Sequence, residues 1–331
     1  MSKSIPTVVA NVPAPTPRAL PPLPPHHFFE PSLPQTVLYL SYGLLLAIGP
    51  GWLSYVIQTT DWPLATRLLA SLVLSAIAGY GFFMLAGTAH EGFHFNLHRR
   101  PAVSGLIGIL FSACIPGFIG IGFTLSHWKH HRYTNQELDP DCGHFGRFRS
   151  FWSRLLLARL SANAAYRRVA LTLLTGRIDA EAGSNGLPLR TLRWLCLVNV
   201  LWHLLLMAGM IAVCISAPLF AFCVFIAPLM ATVMITGLNP YQEHAGTGIE
   251  YDTKARSRTS PLFTALMFGT NYHLEHHLYP RVPCWRLPSL HRWLVGTDWY
   301  REANPIIVSA FMAAFSPRLL SGTQTYGESV P

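Results

Sequence analysis

Residues 36–58 read TVLYLSYGLLLAIGPGWLSYVIQ, a stretch without a single charge. At 1.5 Å of rise per helical residue, such a run is long enough to cross the ~30 Å hydrocarbon core of a bilayer. In lipid the backbone must satisfy its own hydrogen bonds, so the run is predicted to be a helix rather than an open strand. Four more apolar runs follow. They cover roughly 64–89 (broken only by Arg67 near its start), 102–125, 191–215 and 217–238. The short link Ser216-Ala217-Pro218 makes the last two a tight helical hairpin. The run at 102–125 contains five glycines and Pro116, a poor composition for a straight span. It is predicted to be a re-entrant or interfacial helical hairpin that returns to the side it came from. Irregular backbone at that depth is tolerated only where protein covers it.

The expected fold is therefore an all-α integral membrane protein. Four transmembrane helices are joined to a re-entrant or interfacial hairpin and a cytosolic helical cap. Composition agrees. Of 331 residues 51% are hydrophobic and only 12% charged, against about 25% charged in ordinary soluble domains, and the mean hydropathy is +0.32. These values exclude an ordinary soluble globule, disorder throughout and a small disulfide scaffold. The six cysteines form no CxxC pair and read as reduced packing residues.

The formal net charge is +9. Its basic residues lie between apolar runs, which points to topology and anionic lipid and away from nucleic acid. Twelve of them fall between Arg99 and Arg190, and eight follow residue 238. The positive-inside tendency then places that loop, the C-terminal tail and both termini in the cytoplasm, in a multi-pass arrangement. Residues 1–35 hold ten prolines and are expected to form a disordered arm without the pattern of a signal peptide. His26 and His27 in it read as polar residues at the membrane entry. The membrane domain with its cap takes 36–300, and 301–331 is a cytosolic or interfacial tail. The arginine-studded stretch 145–178 reads as helices lying in the headgroup plane.

Fifteen histidines are strongly clustered. TAHEGFHFNLH carries His90, His94 and His98; SHWKHHRYTN carries His127, His130 and His131; NYHLEHHLYP carries His273, His276 and His277. NPYQEHAG adds His244. A spacing of four puts two imidazoles on one helix face, about 6 Å apart along the axis. Histidine repeated without cysteine suits iron, zinc, copper or nickel. Four ligands saturate a tetrahedral zinc, so nine imidazoles are better explained by two ions with four or five nitrogens each. His98 and Asn239 are further candidates, Asn239 through a water. Glu91, Asp139, Asp141, Glu243 and Glu275 are placed to accept the second ring proton of a ligating imidazole. His203, inside a span, reads as a satisfied core residue, and His144 and His291 as surface or loop residues.

HEGFH, HWKHH and NYHLEHHLYPRVP resemble the three histidine boxes of the membrane fatty-acid desaturase and hydroxylase superfamily. HHRYTNQELDPD is similar to the lipid desaturases in particular. The resemblance covers roughly 36–300. It implies a non-haem diiron centre held by His90, His94, His127, His130, His131, His273, His276 and His277, with His244 added by the NPYQEHAG segment. It also implies an O2-dependent enzyme that removes two hydrogens from the acyl chain of a membrane lipid. No cytochrome-like or ferredoxin-like segment is fused, so electrons are expected from a separate ferredoxin-type or cytochrome-type protein. The region ARSRT…FGTNYHLEHHLYPRVPCWRLP is also similar to carotenoid ketolases and ring hydroxylases. The alternative is thus a carotenoid ketolase or hydroxylase, or an alkyl-chain hydroxylase. A membrane metal transporter is a remote third reading, because the spans lack a path of ionisable groups.

Overall fold

A computed structural model describes residues 20–176 and 186–311. Helices α1 (Leu33–Gln58), α2 (Leu64–Phe93), α7 (Leu189–Ser216) and α8 (Pro218–His244) are long and apolar enough to cross a membrane. Between α2 and α7 the chain forms α3 (Pro101–Ser112), α4 (Gly120–Tyr133), α5 (Pro140–Phe145) and α6 (Arg159–Leu174). After α8 come α9 (Pro261–Met267), α10 (His273–Leu278), α11 (Leu287–Val295) and α12 (Asp298–Glu302). Among the described residues the strands are two short parallel ones, β1 (Arg256–Arg258) beside β2 (Ile306–Val308), a small departure from a purely helical chain.

The run at 102–125 behaves as its glycines and proline suggest. At 12 residues, α3 rises only about 18 Å, too short to span. The chain then turns through Gly117, whose φ of +71° suits a residue without Cβ, and comes back as α4. The first two histidine clusters thereby stay at one end of the bundle. At that same end the Thr36 hydroxyl donates to the Leu97 carbonyl (2.9 Å), tying the start of α1 to the exit of α2.

Close helix approach holds this end together. A Cβ on Gly92 of α2 would lie 2.8 Å from Gly108 Cα and 2.8 Å from the Ser104 carbonyl oxygen, both on α3. Small residues permit such contact, which is the main packing device available among helices in lipid. The Thr88 hydroxyl seals the same seam by donating to the Gly108 carbonyl (3.1 Å). With 30 residues, α2 is about 45 Å long, well beyond the hydrocarbon thickness. Its last turns project past the apolar region and carry His90. Likewise α8 runs on past residue 238 to deliver His244.

Two expectations need correction. The segment 20–32 is not loose: Phe28 is buried against Trp293, and the Tyr279 hydroxyl donates to the Pro22 carbonyl (2.5 Å). The aromatic residues of the arm find a partner surface on the cap that no local pattern reveals. Residues 1–19 of that arm, 177–185 and 312–331 lie outside the described residues. Nor do all arginines of 145–178 face headgroups. Arg154 is fully buried, donates to the Phe148 carbonyl (3.0 Å) and lies over the Tyr241 ring (4.1 Å). Arg159 donates to the Thr236 carbonyl (2.8 Å). The apolar faces of this stretch, including Trp152 and Leu156, remain exposed, as an interfacial segment requires. All six cysteines are free thiols.

Candidate metal centre

Nine histidines from α2 and its C-cap, α4, α8 and α10 meet above the bundle in two groups. One holds His90, His94, His127, His131 and His276; the other holds His130, His244, His273 and His277. In each, one ring nitrogen per residue lies within 4.8 Å of the others. The HxxHH spacing explains the division. Residues four apart share a helix face, whereas the residue at the third position sits about 60° away on the 3.6-residue helix. In α4 the pair His127 and His131 joins the first group, and His130 the second. In α10 the pair His273 and His277 joins the second, and His276 the first. The two boxes therefore cross-link the two groups, each giving a pair to one and a single imidazole to the other.

Within the groups the nitrogens are at ligand spacing. His90 Nε2 lies 2.8 Å from His276 Nε2, and His276 Nε2 lies 3.0 Å from His131 Nε2. His131 Nε2 is 2.9 Å from His127 Nε2. In the second group His244 and His273 are 2.8 Å apart, His273 and His277 3.1 Å, and His130 and His277 3.3 Å, all between Nε2 atoms. Two nitrogens bound at about 2.1 Å to one ion stand roughly 3.0–3.4 Å apart, depending on the coordination angle.

The outer ring nitrogens fix the tautomers. His90 Nδ1 donates to Glu91 (3.0 Å) and His130 Nδ1 to Asp139 (2.9 Å). His244 Nδ1 donates to the Lys254 carbonyl (3.0 Å). The Thr134 hydroxyl already donates to the His130 carbonyl, so it accepts from His277 Nδ1 at 3.2 Å. Each of these four rings consequently aims a bare Nε2 lone pair inward. Facing lone pairs repel unless a cation lies between them. Among the described residues, His94 Nε2 is buried without any hydrogen-bond partner. This donor set fits metal ions: it is all imidazole, and four of its nine rings are oriented from behind.

Electrostatics agree. Burial pushes the His127, His131, His273, His276 and His277 pKa values well below 6.5, with neighbouring imidazoles adding to the effect, so all five stay neutral and able to bind metal. For His130 burial opposes the charge, but the carboxylates of Asp139, Asp141 and Glu243 together outweigh it and leave the pKa raised. Burial also raises Asp141 to about 6, against the pull of His130.

The remaining candidates fall into place unevenly. Glu91 does what its position suggests: beyond His90, it accepts from Asn96 (3.0 Å) and the Cys284 amide (3.1 Å). Asp139 accepts from the Asn135 and Asp141 amides as well (2.8 and 2.9 Å). Asp141 stands 3.9 Å from His130 Nδ1. Glu243 does not sit behind a ring. It faces the Nε2 side of His273 (3.6 Å) and pairs with Arg258 (3.4 Å). Among the described residues Glu275 backs none of the nine clustered imidazoles; it accepts from His291 (2.6 Å) and from the Ser257 hydroxyl (2.5 Å). His291 is accordingly a half-buried structural partner and not a free surface residue. His98 lies outside both groups, its Nδ1 accepting from the Arg100 amide (3.0 Å). Asn239 is engaged by Arg258 (3.3 Å). His144 is half-buried against Tyr166 (5.7 Å between rings). His203 donates to the Ala113 carbonyl (2.8 Å), a satisfied core residue as its surroundings suggest.

Sequence reasoning passed over Asn135 and Ser257. Asn135 adopts φ +62° and ties the second box to the loop after α8, donating to Thr247 (2.9 Å) and the Lys254 carbonyl (3.0 Å). Its polar side chain directly after a box was the available signal. Ser257 carries none, because its partner arrives from the third box through tertiary packing.

Comparison with known proteins is in keeping with this centre. Residues 66–308 match the family model described as fatty acid desaturase. A β-carotene ketolase from Paracoccus sp. (strain PC1) is 28% identical over 257 residues, covering 75% of this chain and 91% of that protein. Another, from Paracoccus sp. (strain N81106 / MBIC 01143), is 24% identical over 276 residues, covering 80% and 96%. The family match runs from the first turn of α2 to the end of β2 and takes in every histidine of both groups. The chain belongs to the fatty acid desaturase family and is an oxidoreductase of the membrane desaturase and hydroxylase superfamily.

Proposed function

We propose that this protein uses O2 and two histidine-held iron ions to remove hydrogen from an unactivated C–H bond of a long apolar lipid. The observation that carries this reading is the opening of both imidazole groups onto one cavity. His90, His127 and His276 of the first group and His130, His244 and His273 of the second line it, beside Phe83, Met84, Ile115, Phe118 and Phe123. The first group offers five nitrogens, more than a tetrahedral zinc accepts. Iron, when bound, would supply the reduction of O2 and the oxidation of the C–H bond.

The chain's own contribution is position and dryness. Glu91, Asp139, Thr134 and the Lys254 carbonyl hold the rings from behind. Phe123 stacks on His127 (5.0 Å between rings) and, with Phe118, keeps water from the apolar wall. The cavity threads the reacting carbon past the imidazoles. Two electrons come from a separate ferredoxin-type or cytochrome-type donor. The basic loop Arg99–Arg190 and the basic tail argue that the histidine end faces the cytoplasm.

Two outcomes follow from one abstraction step, and each has its own support. Loss of a second hydrogen from the adjacent carbon gives a double bond, with both oxygen atoms of O2 leaving as water; the NYHLEHHLYP and HHRYTNQELDPD boxes favour this acyl desaturation. Return of oxygen to the same carbon gives an alcohol and, on repetition, a ketone. The alignment with two β-carotene ketolases over nearly their whole lengths favours this second reading, on a carotenoid-type polyene. Turnover under 18O2 in membranes that contain both lipid classes tests them. Unlabelled new double bonds in acyl chains support desaturation. An 18O label in a polyene ring supports ketolation. Absence of any oxidised lipid refutes both.

A further inference from the structure

The short helix α9 forms part of the cavity wall. Met267 of α9 and Phe83 of α2 both line the cavity. The same two side chains pack with Tyr80, Phe263 and Phe311 in a small apolar cluster of their own. The helix is apolar on more than its inner face. Phe263 and Met267 are buried, whereas Leu262 and Leu266 are 57% and 41% exposed. A helix that is apolar all round belongs against lipid or core, not water.

Its attachment places it at membrane depth. The Leu266 carbonyl accepts from the Tyr42 hydroxyl of α1 (3.0 Å) and from the Tyr80 hydroxyl of α2. Tyr80 lies ten residues before His90, about 15 Å down the apolar part of α2. Although α9 follows the last span, it therefore reaches back against the flank of the first two. Leu266 belongs to the last turn of α9, where carbonyls have no donor within the helix, so the two hydroxyls act as a latch on it. The other side of that end is fixed. Phe268 and Gly269 follow with φ of +53° and +89° and turn the chain toward the third histidine box. A Cβ on Gly269 would stand 2.2 Å from the Cys284 carbonyl oxygen, so this turn is seated in the cap.

We infer that the lipid enters the cavity sideways from the bilayer, beneath α9, and that α9 is a membrane-inserted cover latched by Tyr42 and Tyr80. The substrate is then a lipid dissolved in the bilayer and not a chain delivered from water on a soluble carrier. Release of the Leu266 carbonyl lets α9 move about the Phe268–Gly269 turn and parts Met267 from Phe83. The inference deepens the lipid-oxidation reading and rests on it.

Photolabelling of the holoprotein in nanodiscs, without O2 or reductant, tests it. A phospholipid with a diazirine in mid-chain is expected to label Pro261–Met267 as well as the exposed Leu45 region of α1. Two further probes dissolved in the disc each carry a diazirine: an 18-carbon acyl methyl ester and a C40 polyene. For whichever enters, labelling of the cavity peptide around Met84 is expected to be at least about fivefold faster in the Tyr42→Phe/Tyr80→Phe double variant, the worth of one net hydrogen bond or more. The same acyl chain supplied outside the disc as a coenzyme A thioester is expected to leave that peptide unlabelled. Unchanged iron content in the double variant shows that the centre is intact. Labelling of the Leu45 region without α9, an entry rate unchanged in the double variant, or labelling by the thioester overturns the lateral entrance alone. If neither bilayer probe reaches the cavity, the lipid reading falls and the entrance with it.

Discussion

His90 and His276 stand 186 positions apart in the chain, yet their Nε2 atoms face each other at 2.8 Å. One closes a membrane-crossing helix and the other sits on a six-residue helix of the cap. A cation shared between the two imidazoles makes this approach favourable. Folding of the cap onto the bundle and metal binding are therefore linked.

The division into two groups gives a stoichiometric expectation. His94→Ala removes a nitrogen from the first group only, and His244→Ala from the second only. Each variant should retain about one metal ion per chain where the parent holds about two, and each should lose at least about 100-fold in turnover. Metal analysis of purified protein checks the first expectation and lipid product yield the second. Loss of both ions from either variant would show that the groups load as one unit.

Asp139 should matter more than its distance from the cavity suggests. It holds His130 and two backbone amides at once. Asp139→Ala should weaken metal retention by about 10–100-fold, the usual effect of removing the partner behind a ligating imidazole. Competition with a chelator measures it. His98→Ala, by contrast, should leave metal content unchanged, since His98 stands apart from both groups.

The pH dependence of the metal-free protein follows from the depressed imidazoles. His127, His131, His273, His276 and His277 titrate well below 6.5 when folded, whereas the unfolded chain takes up protons at about 6.5. Below that pH the unfolded state binds more protons, so stability falls with pH. Stability from these residues is full above about 6.5 and is lost as pH drops through the folded-state values. His130 is raised and acts in the opposite sense, but it is one group against five. Thermal midpoints of the metal-free protein should hold steady from pH 8 to about 6.5 and then decline toward pH 5. A midpoint that rises on acidification would contradict the neutral-imidazole assignment.

The α2–α3 seam should tolerate no added bulk. A Cβ on Gly92 meets the α3 backbone at 2.8 Å, and backbone on both sides cannot give way. Gly92→Ala should cost about 1–3 kcal/mol through overpacking. It should also lower metal content, because Gly92 lies between His90 and His94. A thermal unfolding series in detergent and metal analysis test the pair of effects together.

Much of this architecture is readable from the chain. Apolar run length yields the four spans, and the glycines with Pro116 yield the turned-back hairpin, since both follow from bilayer thickness and helix geometry. The nine converging histidines are legible because their spacing is local. What stayed hidden depends on long-range packing. Phe28 finds the cap surface around Trp293, Glu275 turns away from the ligands toward His291, and Arg154 buries itself over Tyr241. In each of these the partner is more than a dozen residues away and no periodicity announces it.

The most direct test of O2-dependent lipid oxidation at this centre is mass spectrometry of total lipid from host membranes. Wild type and His276→Ala are compared, each with and without air, at equal levels of membrane-inserted protein. The account requires an oxidised lipid, bearing a new double bond or a new oxygen, only in the aerated wild-type sample. The same product from His276→Ala, or from wild type without O2, would contradict it.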